Sequence, residues 1–156
     1  MDLKVICVGQ RMPRWVAEGW QEYARRLPAH LKLDLIEVPV AGRKATGRES
    51  RVEAQALVER VPERALRIAL DGGGKLWSTE NLAEQLADWQ QDGDPVCFFI
   101  GGAEGLDVDL LASCQARWSF GPAVFPHMLI RVMVAEQLYR AWTILDGHPY
   151  HRGGNS

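Results

Sequence analysis

The chain is predicted to fold as an α/β protein built on a mostly parallel, doubly wound sheet. Two observations carry that prediction. Short apolar or β-branched runs alternate five times with stretches of helical pattern, and several of those runs break directly into glycine- or proline-rich turns. A βαβαβαβαβα order puts helices on both faces of a parallel sheet, because every parallel pair needs a crossover connection. At 156 residues, 47% hydrophobic and 24% charged, the sequence has the size and apolar content of one globular unit, and residues 1–156 are expected to form a single domain.

Each element has its own signal. LKVICV, residues 3–8, reads as a buried strand. Pro13 then opens a helix through Leu27, with Trp15, Trp20, Tyr23 and Leu27 recurring at helical spacing. LKLDLIEV, residues 31–38, alternates as a strand does, and a polar loop over 39–48 leads to a helix from Glu49 to Val61, ended by Pro62. ALRIALD, residues 65–71, is a third strand, expected to stop at Gly72, Gly73 and Gly74. Ser78 can cap a helix running to Gln91, with Glu80 well placed in its first turn. PVCFFI, residues 95–100, is the fourth strand; a helix from Asp107 and a fifth strand, ARWSF at 116–120, follow. The last helix, Met128 to Leu145, is apolar on most faces, too much so for a single core-facing stripe, so a second partner is expected for it.

Charge and cysteine narrow the function classes. The net charge of −2 gives no sign of nucleic-acid binding, but residues 1–75 carry 14 Lys and Arg against 10 Asp and Glu, and residues 76–156 carry 4 against 10. The basic excess gathers in the loop 42–51, where Arg43, Lys44, Arg48 and Arg51 face only Glu49. Two readings stand: a solvated loop, or a local anchor for phosphates. Cys7, Cys97 and Cys114 lie far apart without CxxC or Cys/His metal spacing, and they read as buried apolar thiols. No run approaches the roughly 18 apolar residues of a membrane span, and a cytoplasmic location without membrane contact is expected.

Three loops at expected strand ends, "LDGGGKLW", "IGGAEGLD" and "FGPAVFPHM", offer much bare backbone. In open sheets of this class ligands bind beyond the carboxyl ends of the strands, and such loops suit an adenine ring or a nucleoside. No GxGxxG fingerprint is present. "GRKATGRE", residues 42–49, approaches a P-loop, but Arg48 and Glu49 stand where the motif needs Lys and Ser or Thr. A nucleotide hydrolase using that segment is the alternative enzyme reading. His148 and His151 in "HPYHR" lack companions for a metal site, and none is expected.

Taken together, "VGQRMPRWVAEGWQEYARRLP", "LDGGGK", "IGGAEGL" and "PHMLIRVMVAEQLYRAWTILDGHPYHR" resemble the small SPOUT-class methyltransferases that methylate ring nitrogen 3 of a pseudouridine in bacterial large-subunit ribosomal RNA. The resemblance covers nearly the whole chain, with Ala103 where members commonly have proline. It implies a C-terminal trefoil knot, a homodimer, and S-adenosylmethionine as methyl donor. It also implies a donor pocket of Leu70, Asp71, Gly101, Gly102, Gly121, Pro122, Ala123, Val124, Phe125 and Pro126. A ribosome-associated RNA-binding protein without turnover is the remaining alternative.

Methyl transfer to an imide nitrogen needs alignment and removal of a weakly acidic proton. Candidate groups lie in the C-terminal segment. His127 contacts donor or base, or caps the last helix; Arg131 serves a partner such as phosphate, or a salt bridge; Glu136 and Arg140 are spaced to pair with each other. The tail 147–156 is expected to project, with Tyr150 stacking on a base and His151 or Arg152 contacting phosphate or the ionised base. His151 is the first choice of proton acceptor, ahead of solvent and His127.

Overall fold

The computed structural model describes residues 1–42 and 49–154. Arg43, Lys44 and Arg48, and most of the near-P-loop, lie outside the described residues. Five strands form one parallel sheet in the order β2-β1-β4-β3-β5: β1 Asp2–Val8, β2 Lys32–Val38, β3 Leu66–Leu76, β4 Val96–Ile100 and β5 Ala116–Ser119. Between them run α1 Arg14–Ala24, α2 Glu49–Glu59, α3 Thr79–Asp92 and α4 Val108–Ser113, followed by α5 His127–Asp146.

Strand periodicity divides the core between the two faces. Leu3, Val5 and Cys7 of β1, with Val96, Phe98 and Ile100 of β4, pack with Trp20, Leu82, Leu86, Trp89, Val134 and Leu138, so α1, α3 and α5 cover one side. Ile6, Val8, Cys97 and Phe99 point the other way, onto Ala54, Leu57 and Leu110 of α2 and α4. The sheet is therefore doubly wound, as its alternation predicts. Ser78 caps α3 by accepting from Asn81 N–H, while the Asn81 side chain returns a bond to the Ser78 N–H; such caps contribute about 1 kcal/mol. Burial holds the Cys7 thiol up at about 12 and the Cys97 thiol at about 11, which keeps both protonated.

Two expectations need correction. The glycines after Asp71 do not end β3. Residues 71–74 bulge outward while Leu70 and Lys75 both pair with Trp118, and the strand continues to Leu76. Glycine is what permits this: a Cβ on Gly74 would lie 2.6 Å from the backbone carbon and oxygen of Arg117. The tail does not project either. Gly147, at φ 73°, closes α5 in the left-handed region. The chain then folds back as a 3-10 helix, Pro149–Gly154, in which Tyr150 is only 7% exposed.

Candidate functional site

The carboxyl ends of β4, β3 and β5 enclose a cavity of about 340 Å³, within the range of roughly 300–1,000 Å³ that holds small ligands. Its floor is Trp118, fully enclosed and packed against Trp77, Phe98 and Phe120 at centroid distances of 5.4, 6.1 and 4.9 Å. Aromatic contacts on several sides hold that floor still, and three loops rise from it.

The β4 loop is closed on itself. Gly105 N–H donates to the Gly102 carbonyl at 3.0 Å, and these two residues also form an isolated antiparallel bridge. Ala103 and Glu104 are thereby pushed outward; both are exposed, and Glu104 does not line the cavity. A Cβ on Gly101 would sit 2.7 Å from the Gly105 carbonyl carbon and oxygen, so the tight turn requires glycine there. The β3 bulge and the β5 loop are tied by Ser119, whose hydroxyl accepts from Gly121 N–H at 3.0 Å and donates to the Gly72 carbonyl at 3.2 Å. Gly121, at φ 110°, occupies a backbone region that side chains rarely adopt.

Of the ten residues expected at a donor pocket, all but Pro126 line this cavity; Pro126 is instead the N-cap residue of α5. His127, the first residue of α5, lines it too. Asp71 and His127 are the only titratable side chains among the lining residues. The walls otherwise offer backbone groups and apolar surface from Leu70, Ile100, Phe125 and Ile130.

The remaining candidates fall into two other places. Of the two readings of Arg131, phosphate or a salt bridge, the fully enclosed side chain takes the second. Its Nη1 donates to Glu37 Oε2 at 2.6 Å, and its Nη2 donates to the carbonyls of Gly9 at 2.9 Å and Val8 at 3.2 Å. Glu136 and Arg140 of α5 form a second cluster with Tyr150 of the 3-10 helix. Arg140 Nε donates to Glu136 Oε1 at 2.6 Å, the Tyr150 hydroxyl meets the same oxygen at 3.4 Å, and the guanidinium lies 4.6 Å from the Tyr150 ring centre. Tyr139 stands edge-on to that ring at 4.6 Å. Tyr150 therefore has its ring covered by its own chain, not free to stack on a base. Burial, then the Glu136 carboxylate, raises its pKa and keeps it a neutral phenol. His151 is half-buried with Nδ1 lacking a partner, and Arg152 is exposed. None of these tail residues reaches the cavity within one chain. Arg51 is exposed and lies 3.6 Å from Asp109, on the α2 and α4 side of the sheet.

Glu53 is a further buried carboxylate behind the β4 loop. It sits on α2 at 5% exposure and accepts from the Ala41 N–H at 3.1 Å, close behind Gly102. Its sequence position reads as an ordinary helix surface, so no local signal marks it.

A family described as predicted SPOUT methyltransferases matches residues 1–151. The chain belongs to the SPOUT methyltransferase family. Membership makes it an S-adenosylmethionine-dependent methyltransferase. Ribosomal RNA large subunit methyltransferase H of Pseudomonas aeruginosa (strain UCBPP-PA14) is 48% identical over 155 residues, covering 97% of this chain and 100% of that protein. The proteins of the same name from Pseudomonas fluorescens and Azotobacter vinelandii are 47% and 46% identical over the same coverage. In fold, the chain is similar to a probable methylase family protein from Haemophilus influenzae Rd KW20, with a TM-score of 0.53 and 14% identity, covering 94% of this chain and 69% of that one.

The cavity fits the donor of a SPOUT methyltransferase. Gly72 has nothing within 4 Å of where its Cβ would stand, which leaves open space beside bare backbone. Among the described residues the only carboxylate on the walls is Asp71, suited to a ribose hydroxyl or a cationic group. Among the described residues no group of His, Cys, Asp and Glu side chains is placed to hold a metal ion, and no helix is long and apolar enough to cross a membrane.

Proposed function

We propose that this single-domain protein methylates ring nitrogen 3 of a pseudouridine in large-subunit ribosomal RNA, acting as a homodimer on assembled ribosomes. The observation that carries the reading is the identity of 48% along nearly the whole chain to ribosomal RNA large subunit methyltransferase H. The cavity at the strand ends supports the donor's place, with the C-terminal part of the chain threading the family's trefoil knot around it.

The donor, when bound, supplies a methyl group already activated on a sulfonium. What the chain contributes is position and proton handling. The glycine loops bring backbone N–H and C=O groups close to an adenosyl group without side chains in the way, and Trp118 and Phe120 keep water from the floor. Pseudouridine N3 carries a weakly acidic proton that must leave as the N–C bond forms. His127 is the base that a single chain sets at the cavity; His151 belongs to the tail.

The homodimer reading brings that tail to the partner's cavity. Two features support it: the half-buried apolar residues Leu129, Met133 and Trp142 on α5, and the rim residue Val124, which is 97% exposed. A single chain covers the three α5 residues only in part and leaves Val124 open.

Transfer of a labelled methyl group to free ribosomal RNA, separate subunits and whole ribosomes tests the reading. Label on pseudouridine N3, strongest with whole ribosomes, is expected. Binding of S-adenosylmethionine without any transfer to RNA would favour a non-catalytic RNA-binding protein, and binding of ATP instead would favour the hydrolase. Reversing Arg43, Lys44, Arg48 and Arg51 to glutamate is expected to weaken RNA binding and flatten its salt dependence, with donor affinity unchanged by calorimetry. Equal loss of both would make the basic loop structural.

A further inference from the structure

We propose that the ion pair between buried Arg131 and half-buried Glu37 is a positioning clamp for the donor cavity. It holds the first turn of α5, and through it His127, Ile130 and the loop from Gly121 to Phe125, against the carboxyl ends of β1 and β2. The inference rests on the assignment of that cavity to the methyl donor.

The loop that forms most of one cavity wall needs an anchor at each end. Ser119 holds one end, through its bonds to Gly72 and Gly121. At the other end the chain enters α5 with no side-chain cap, and residues 127–130 are all only half-buried. The next residue, Arg131, is fully enclosed. Its guanidinium joins α5 to Glu37 on β2 and to the Val8 and Gly9 carbonyls at the end of β1, and Met12 Sδ lies 3.4 Å from Nη1. One planar side chain thus ties α5 to two strand ends to which no sheet hydrogen bond joins it.

Packing at the junction is close enough to transmit position. A Cβ on Gly9, whose φ is 111°, would lie 3.1 Å from Met128 Cε, 3.5 Å from Arg131 Nη2 and 3.8 Å from His127 Nε2. The imidazole at the cavity and the buried guanidinium therefore share one neighbour. Stability alone is a weak reason for such a pair, because well-packed apolar residues of similar volume often serve as well or better. An apolar contact fixes distance only loosely, whereas a guanidinium fork fixes orientation as well.

Arg131→Lys keeps a cation within the core but loses the fork. S-adenosylmethionine affinity, measured by calorimetry, is expected to fall about tenfold, donor KM to rise in step, and kcat to change far less. Amide exchange over residues 121–130 is expected to quicken in the donor-free protein. The double variant Glu37→Gln with Arg131→Met removes the buried charge, so its thermal midpoint should recover toward that of the parent while donor affinity stays weak. Recovery of affinity together with stability would make the pair mere structural glue and overturn the proposal, as would unchanged exchange and affinity in Arg131→Lys. Faster exchange with unchanged affinity would overturn the assignment of the cavity to the donor instead. If Arg131→Lys does not fold, the double variant carries the same test.

Discussion

Gly101→Ala is expected to abolish measurable donor binding, with a loss of at least about 100-fold, equivalent to about 2.7 kcal/mol. The added methyl group has no room. It would stand 2.7 Å from the carbonyl carbon and oxygen of Gly105 and 3.0 Å from the Leu106 nitrogen, all backbone atoms that no rotamer change can move aside. Relief requires the turn from Gly102 to Gly105 to open, and that turn is one wall of the cavity. Overpacking of this kind costs about 1–3 kcal/mol of stability, so a lower thermal midpoint should accompany the loss.

Gly72→Ala separates the two effects. Its Cβ would meet nothing within 4 Å, and its φ is not in the left-handed region, so the fold should be unaffected. Yet Gly72 lines the cavity, and a methyl group there takes space from the ligand. Calorimetry on both variants should show lost affinity with a lowered midpoint for Gly101→Ala, and reduced affinity with an unchanged midpoint for Gly72→Ala. Parental affinity in a folded Gly101→Ala protein would place the donor elsewhere.

Why was this cavity legible from residues alone? The near-continuous apolar runs LKVICV and PVCFFI mark strands buried on both faces inside the sheet, and glycine directly after such a run marks a place where backbone comes close to something. Local chemistry suffices for both. Residues 72–74 show where it fails. A glycine run reads as a stop, but here the same lack of side chains lets β3 bulge and then press on Arg117 of β5, a partner more than 40 residues further along. Burial of charge is harder still. Arg131 finds Glu37 at a separation of 94 residues and Gly9 at 122, and Glu53 finds Ala41 at 12. Nothing near Arg131 in sequence distinguishes it from an arginine exposed on a first helical turn. The tail is opaque for a related reason: Gly147 closes α5, but the Tyr139 and Arg140 surface that receives Tyr150 exists only once α5 has formed.

That packed tail changes what its removal should do. Ending the chain at Gly147 is expected to reduce methyl transfer to ribosomes by at least about 100-fold, the scale of a lost proton-transfer group, with donor affinity within about twofold of the parent. The separation follows from geometry, since among the described residues none after Ile130 lines the cavity. Stability should also fall, by about 3 kcal/mol, because the truncation uncovers Tyr139 and removes a buried aromatic ring. Point variants distinguish chemistry from packing. Tyr150→Phe keeps the ring against Tyr139 and Arg140 and loses only the 3.4 Å contact with Glu136. As a phenol held neutral, Tyr150 is not a base, so a decrease of less than about tenfold is expected for this variant. His151→Ala leaves Tyr150 in place and deletes the one imidazole of the tail that has an enclosed, unpartnered nitrogen. A kcat decrease of about 100-fold at an unchanged thermal midpoint would assign the proton to it. Full methylation by His151→Ala would leave His127 or solvent as the acceptor, and full methylation by the truncated chain would remove the tail from the reaction altogether.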